Sequence, residues 1–240
     1  MASYFGEVLL PVSRAFWDED DENESPSTAE NQTELSVQWI KEKPANIKCL
    51  VLVDNDMLID FARESLCPDA EEICFIENEI HQKISTFYQV NSDVYLCTIL
   101  PKFDTKLCGN LINKISDLLA NTERIISITY QHITKFQSKE IPNTPYFLRQ
   151  LCTKTGEGVC KLKVKMLEQP NIVFGVAAGV LSYAEFMGMP SALYILYTDN
   201  FVLDYTSAEP LRKLFEAMDC TPHDVSFAGK SFFNKGNLYM

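Results

Sequence analysis

Leu167-Glu168-Gln169-Pro170-Asn171-Ile172-Val173 opens the stretch that decides the fold, and it continues through Ala177-Ala178-Gly179-Val180-Leu181-Ser182-Tyr183 and Pro190-Ser191-Ala192-Leu193-Tyr194 to Tyr197-Thr198-Asp199. It reads as a capped helix, a sharp stop and a strand covered on both faces. Asn171 after Pro170 suits an N-cap, because its side-chain oxygen can accept from a first-turn amide that has no intrahelical partner. Ile172, Val173, Val176, Ala177, Val180, Leu181 and Ala184 then recur on one face at helical spacing. Gly188 past the last apolar position and Pro190 beyond it mark the helix end. From Ala192 to Thr198 the residues are apolar on both sides, the pattern of a strand packed above and below. Gly175, Gly179 and Ser182 make a small-residue strip on the helix, which suits tight packing on its own sheet or, alternatively, the approach of a partner subunit.

Outward from this stretch, strands and helices alternate. Ile47 to Val53 is, Lys48 apart, an apolar run ending at Asp54-Asn55-Asp56, a strand leading into a capped helix through about Leu66. Val94 to Leu100 reads as a buried strand, Phe103 to Ala120 as a helix, and Arg124 to Tyr130 as a strand; Gln137 to Pro145 is a polar loop. Ser207 to Met218 carries Leu211, Leu214, Phe215 and Met218 on one helical face. The alternation predicts an α/β layered domain with a mainly parallel central sheet flanked by helices. The expected organisation is a short N-terminal motif and acidic segment over 1–34, one α/β domain over 35–225, and a flexible C-terminal tail over 226–240.

Charge is unevenly placed. The 240 residues hold 33 acids and 21 Lys or Arg, a formal net charge of −12. Eight of those acids, Asp18, Glu19, Asp20, Asp21, Glu22, Glu24, Glu30 and Glu34, lie in a run with no base between Ala15 and Ile40; without them 25 acids face 21 bases, a net −4. The acidic run, rich in Ser, Asn and Thr, buries too little apolar surface to offset its ordering entropy and is expected to be mobile. Nothing builds the basic stripe that a phosphate backbone requires, so no nucleic-acid partner is expected. The uncharged run from Gln169 to Ala184 is 16 residues, short of the roughly 20 needed to cross a bilayer, so no integral membrane association is expected. Eight cysteines without a Cys-x-x-Cys pair, in a chain whose Glu7 interrupts any apolar leader, suit reduced thiols and a cytoplasmic setting.

Motifs for chemistry fail on inspection. Gly229-Lys230-Ser231 looks like the end of a P-loop, but the required first glycine falls at Asp224. His81, His132 and His223 share no metal-ligand spacing, so neither metal nor cofactor is expected. Open α/β sheets place ligands beyond the carboxyl ends of their strands. Asp54, Asp56 and Asp199 sit there, and they are the candidates for an alternative reading, an α/β enzyme related to hydrolases or nucleoside phosphorylases.

The words Leu167 to Val173, Val180-Leu181-Ser182-Tyr183, Ala192-Leu193-Tyr194 and Tyr197-Thr198-Asp199 together resemble the proteasome assembly chaperone 1 family. Weaker matches are Phe5-Gly6-Glu7-Val8, His132-Ile133-Thr134, Phe147-Leu148-Arg149 and the closing Asn237-Leu238-Tyr239-Met240; between about Glu22 and Glu123 the likeness is thin. The resemblance implies a non-catalytic chaperone that promotes assembly of the α ring of the 20S proteasome core particle. It also implies a heterodimer with proteasome assembly chaperone 2, contact with proteasome α subunits, and work in the cytoplasm, with the nucleus and the endoplasmic reticulum surface as further locations. Leu238-Tyr239-Met240 matches the hydrophobic-Tyr-any tail by which such factors dock between α subunits. Tyr239 would wedge its ring into a groove while the terminal carboxylate pairs with a lysine at the pocket mouth.

Overall fold

Ile47–Asp54 lies at the middle of the sheet, and its alternate residues fall on opposite sides. Leu50 and Leu52 join one apolar cluster; Cys49, Val51 and Val53 join the other. This division explains why Cys49 to Val53 is apolar without a break: a strand buried on both faces has no solvent side on which to place polar residues, and only Lys48 near its start is exposed. The structure, a computed structural model, describes residues 34–225 apart from 101–102, 139–141, 143, 201 and 219. The expectations for residues 1–33 and for the tail, including Leu238, Tyr239 and Met240, lie outside the described residues.

In chain order the strands are β1 (Ser36–Trp39), β2 (Ile47–Asp54), β3 (Glu72–Glu77), β4 (Lys83–Gln89), β5 (Val94–Ile99), β6 (Thr122–His132), β7 (Tyr146–Cys152) and β8 (Ser191–Thr198). The helices are α1 (Asp56–Leu66), α2 (Cys108–Ala120), α3 (Val176–Met187) and α4 (Tyr205–Ala217). The eight strands form one sheet in the order β1-β3-β4-β5-β2-β6-β8-β7. Its centre, β5-β2-β6-β8, is parallel, with three pairings. The flanks β1-β3-β4-β5 and β8-β7 are antiparallel, with four. The sheet is therefore mixed rather than mainly parallel. Part of the reason is visible in the chain: the connections β3–β4 and β4–β5 are only five and four residues long, which allows antiparallel neighbours alone, whereas the neighbouring parallel strands are separated by helical crossovers.

Helices cover both faces. α2 and α3 bury Leu111, Ile115 and Val180 on the side of Leu50 and Leu52. α1 and α4 bury Leu58, Leu211 and Phe215 on the side of Val51 and Val53. Across the second layer Phe61 of α1 and Phe215 of α4 stack with centroids 5.8 Å apart. The result is the expected α/β layered domain. Asn55 caps α1 by accepting from the Met57 amide at 3.0 Å, as its position after a strand predicts. α4 begins with a reciprocal capping box between Asp204 and Ser207.

Two helix starts differ from the sequence expectation: α2 begins at Cys108, after a 3-10 turn over Thr105–Leu107, rather than at Phe103. α3 starts at Val176, not Ile172, and Gly175 at φ 97° is its N-cap residue, with no side chain of its own to offer. Asn171 is engaged elsewhere: its Oδ1 accepts from the Gln137 amide at 2.7 Å, and its Nδ2 donates to the Gln137 and Glu168 carbonyls at 2.7 Å each. The helix ends as expected at Gly188, which adopts the left-handed conformation at φ 69°. Among the described residues no helix is long and apolar enough to cross a membrane.

Candidate functional site

The carboxyl ends of the parallel strands are where a ligand would bind in an open α/β sheet, and here those ends are occupied by the protein's own helix. The Asp54 carboxylate, at the end of β2, accepts the Ala177 amide at 3.2 Å and so caps α3. Burial pushes the Asp54 pKa up, while the amides of Ala177 and Val176 oppose that rise. Thr129 of β6 donates its hydroxyl to the Asp54 carbonyl at 3.0 Å, fixing the strand end. A β-carbon added at Gly175 would stand 2.5 Å from Asp54 Oδ2.

The other acidic candidates do not join Asp54. Asp56 lies in the first turn of α1, where a carboxylate favours the helix dipole. Asp199 follows β8, and β6 stands between it and β2, a separation of about 10 Å at the usual strand spacing. Its carbonyl is bonded to His132 Nε2 at 3.1 Å, and His132 Nδ1 meets Thr134 Oγ1 at 2.8 Å. Thr198 Oγ1 accepts the Asn200 amide at 3.2 Å. These are turn and capping roles. Among the described residues there is no group of three or more His, Cys, Asp or Glu placed to hold a metal ion.

The residues that carry the resemblance do converge, on the side of β7 and β8. Leu167 donates its amide to the Gln150 carbonyl at 2.8 Å, so the strap from Leu167 lies along the free edge of β7 and shields it from pairing with another chain. Arg149, 8% exposed, donates from Nε to Glu168 at 3.0 Å. Its guanidinium also lies 4.5 Å from the Phe147 ring centroid and 5.0 Å from that of Phe136. Phe147 and Phe136 both meet Tyr197, at 5.2 and 4.9 Å. Burial alone would raise the Glu168 pKa, but hydrogen bonds from Arg149 and Lys165 outweigh it and hold the carboxyl below its ordinary range. The Tyr197 hydroxyl, pushed up to about 12 mainly by burial, donates to Gln131 at 3.0 Å. Gln131 in turn donates to the Ile172 carbonyl at 3.0 Å. The words Phe147-Leu148-Arg149, Leu167 to Val173 and Tyr197-Thr198-Asp199 thus form one packed unit. Phe136 and Gln131 complete it, and only the lone arginine within an apolar strand signalled in sequence that a buried acid partner must exist.

Two surface features remain. A cleft of about 770 Å³ lies against β7 and β8, with Cys152, Tyr194 and Ala192 in its wall and Lys154, Glu157 and Lys163 around it. Phe174, just before α3, and Phe186 in its last turn are large apolar groups left 74% and 86% exposed. Of the strip of small residues expected on this helix, Gly179 faces inward, where an added β-carbon would meet Ile112 at 2.7 Å. Ser182 faces outward. The last described residues pack on the α1–α4 layer: the His223 amide donates to the Ser65 carbonyl at 2.7 Å, and Arg212 pairs with Asp224 at 3.3 Å.

A mixed sheet between two helical layers, with the Asp54 carboxylate committed to the cap of α3, defines an α/β layered protein. The family model PAC1, described as Proteasome assembly chaperone 4, matches residues 76–224, and the chain belongs to this family of proteasome assembly chaperones. Its relatives include Proteasome assembly chaperone 1 of Homo sapiens, 25% identical with 89% of this chain and 87% of that protein covered. The Callithrix jacchus protein of that name is 26% identical over the same shares, 89% and 87%. The Mus musculus one is 32% identical over 55% of this chain and 46% of its own length. Among solved structures, Pyrococcus furiosus PbaA, an archaeal homolog of proteasome-assembly chaperone, aligns with a TM-score of 0.59 at 15% identity, covering 79% of this chain and 83% of its own. PbaB of the same organism, an archaeal proteasome activator, aligns at 0.58 and 14% identity, covering 81% and 91%. These two share the fold.

Proposed function

We propose that this protein is a non-catalytic chaperone of proteasome core-particle assembly, acting on the α ring as a heterodimer with proteasome assembly chaperone 2. The observation that carries this reading is membership of the family over residues 76–224, together with alignment to the human relative across 87% of that relative's length. In this reading the Leu238-Tyr239-Met240 tail enters a pocket between neighbouring α subunits and holds them in register. It thereby excludes activators that use a tail of the same kind. A small anchor combined with a broader surface suits a factor that must later leave. The protein would work in the cytoplasm, with the nucleus and the endoplasmic reticulum surface as further locations.

The test is tagged purification from cells, before and after deletion of residues 238–240. The full chain should bring down α subunits and the second chaperone in early intermediates. The truncated chain should lose most of its α-subunit capture while keeping its circular dichroism and its chaperone partner. Undiminished capture by a folded truncated protein would remove the tail from the mechanism, and absence of α subunits from both preparations would remove the chaperone role itself.

A further inference from the structure

Residues 149–165 are the basic part of an acidic chain. They hold Arg149, Lys154, Lys161, Lys163 and Lys165 against Glu157 alone, a local charge of +4 within a net −12. Arg149 and Lys165 are committed to Glu168, and Lys154 lies 3.8 Å from Glu185. Lys161 and Lys163 stand exposed in the wall of the cleft of about 770 Å³ against β7 and β8. Lys163 makes no ion pair among the described residues.

Hydrogen bonds hold this cleft open. Its roof is the loop after β7. The Thr153 amide donates to the Ser191 carbonyl at 3.0 Å and the Lys154 amide to Glu185 at 2.9 Å. The Thr155 hydroxyl donates to the Gly188 carbonyl at 3.2 Å, and Arg124 donates to the Val159 carbonyl at 3.2 Å. At Gly156 there is no room for a β-carbon against the Ser191 carbonyl. The loop is thus pinned along its length instead of collapsing onto Ala192 and Tyr194. The space it leaves falls within the roughly 300–1,000 Å³ usual for binding sites.

One side of the cleft is a strand edge. Over residues 161–165 exposed lysines alternate with Leu162 and Val164, which are half-buried against the α1–α4 layer. That is the two-residue period of an extended chain. The Gln150 amide donates to the Lys165 carbonyl at 3.0 Å and the Leu167 amide to the Gln150 carbonyl at 2.8 Å, so the Met166 N–H and C=O point away from β7. Neither these groups nor the backbone groups of Leu162 and Val164 are hydrogen-bonded among the described residues.

A small anion would use the lysines and the cleft but leave the edge idle, whereas an extended peptide uses all three. Main-chain pairing along an edge supplies affinity, and alternate side chains reach the neighbouring pocket. Lysines on an edge oppose casual pairing with neutral or basic strands. They accept an acidic one, so the same charges select the occupant. We propose that the edge at residues 162–166 and the cleft beside it seat an extended acidic peptide of a partner protein, paired as a strand, with one large apolar side chain lodged over Ala192 and Tyr194. This contact is separate from residues 238–240 and does not depend on their role.

The probe is a dye-labelled octapeptide that alternates glutamate with valine around a central phenylalanine, titrated with the full chain and followed by fluorescence anisotropy. It should bind, and more weakly as salt rises. Lys161→Glu/Lys163→Glu should weaken binding about tenfold. Lys106→Glu/Lys114→Glu makes the same change of charge at exposed positions on the α2 side of the sheet, and should leave binding within about twofold of the wild type. Hydrogen exchange at saturating peptide should show the Met166 amide protected. Thermal melting confirms that each variant is folded. Failure of the peptide to bind, binding that leaves Met166 unprotected, or equal loss in the two double variants overturns the proposal. Binding of dodecanoate but not of the peptide makes the occupant a small amphiphile and overturns it as well. So does a dimer of the chain alone that Lys161→Glu/Lys163→Glu abolishes, since the occupant would then be a second copy.

Discussion

Asp54 and Gly175 meet where β2 ends and α3 begins: Asp54 Oδ2 takes the Ala177 amide at 3.2 Å, and a β-carbon at Gly175 would lie 2.5 Å from that same oxygen. The helix has no capping side chain of its own, so its acceptor comes from the neighbouring strand. Gly175 serves twice, by adopting φ 97° and ψ −173° and by leaving room for the carboxylate. That region of backbone space is open to little besides glycine, at a cost of about 1–3 kcal/mol for other residues. Gly175→Ala should therefore lower unfolding stability by about 2–4 kcal/mol, adding steric conflict to backbone strain. In an Asp54→Ala background the conflict is gone and only strain remains, so the same substitution should cost less. Additive effects of the two changes in a urea double-mutant cycle would refute the coupling.

Asp54 also gives a pH signature. Its pKa is raised, chiefly by burial. A carboxyl whose folded pKa is raised takes up a proton on folding, so its contribution favours the folded state at low pH. That contribution is lost as pH rises from the ordinary value of about 4 through the higher folded value. Asp54→Asn keeps an oxygen acceptor and carries no charge, so the stability difference, wild type minus variant, should fall as pH rises through that window. Asp204 should behave in the opposite sense. Hydrogen bonds from the Ser207 amide and hydroxyl hold its pKa down, so its contribution is present at neutral pH and is lost on acidification through the depressed value. Asp204→Ala should cost about 1 kcal/mol at pH 7 and progressively less in acid. Melting temperatures of both variants between pH 3 and pH 7, on the order of one measurement per half unit, check both signs.

Arg149 and Glu168 join the strap to β7 at 3.0 Å, with the Arg149 side chain 10% and the Glu168 side chain 24% exposed. Arg149→Ala leaves the carboxylate with Lys165 at 3.1 Å and removes the cation from two aromatic faces. The expected loss is about 3 kcal/mol, the low end for breaking a buried pair, since Glu168 retains some solvent. Arg149→Lys should recover only part, because an ammonium group lacks the planar fork and the stacking surface. Full recovery in denaturant unfolding would show that charge alone matters at this position.

How much of this was legible in the sequence follows from the range of each contact. β2 and β8 were readable because burial on both faces makes them continuously apolar, as Leu50 to Val53 and Ala192 to Tyr197 are. The antiparallel strands were hidden by buried polar residues. Ser85 and Thr86 of β4 are 0% and 3% exposed, Ser85 bonding to Cys97 and the Thr86 carbonyl accepting from Thr98. These partners lie on another strand, and no local pattern announces them. The same holds for α3, where Pro170-Asn171 imitates a helix start while the real cap arrives from Asp54, and Asn171 is occupied by Gln137. The word from Leu167 to Val173 gave the family correctly, yet its physical role, a strap over Arg149 and the β7 edge, required the pairing to be seen.

The cysteines offer a final test of the core. All eight are free thiols: Cys49, Cys67, Cys74, Cys97 and Cys220 are buried, and Cys108, Cys152 and Cys160 are half-buried. Burial is the leading cause that pushes the Cys49 and Cys67 thiols up to about 11, and those of Cys74 and Cys97 up to about 12. The reactive species is the thiolate, so at pH 8 a thiol titrating near 11 presents only about one part in a thousand in reactive form. Steric exclusion slows attack further. Alkylation of the native protein should therefore modify Cys108, Cys152 and Cys160 first. Cys49, Cys74 and Cys97 on the central strands and β3 should react only at the rate of global opening, whose free energy sets the protection of core strands. Site-resolved mass spectrometry over a time course separates the two groups, and adding urea below the midpoint should accelerate the second group far more than the first. Labelling of Cys97 as fast as Cys152 would contradict the placement of β5 inside the sheet, since no local fluctuation of an edge exposes a residue flanked by β4 and β2.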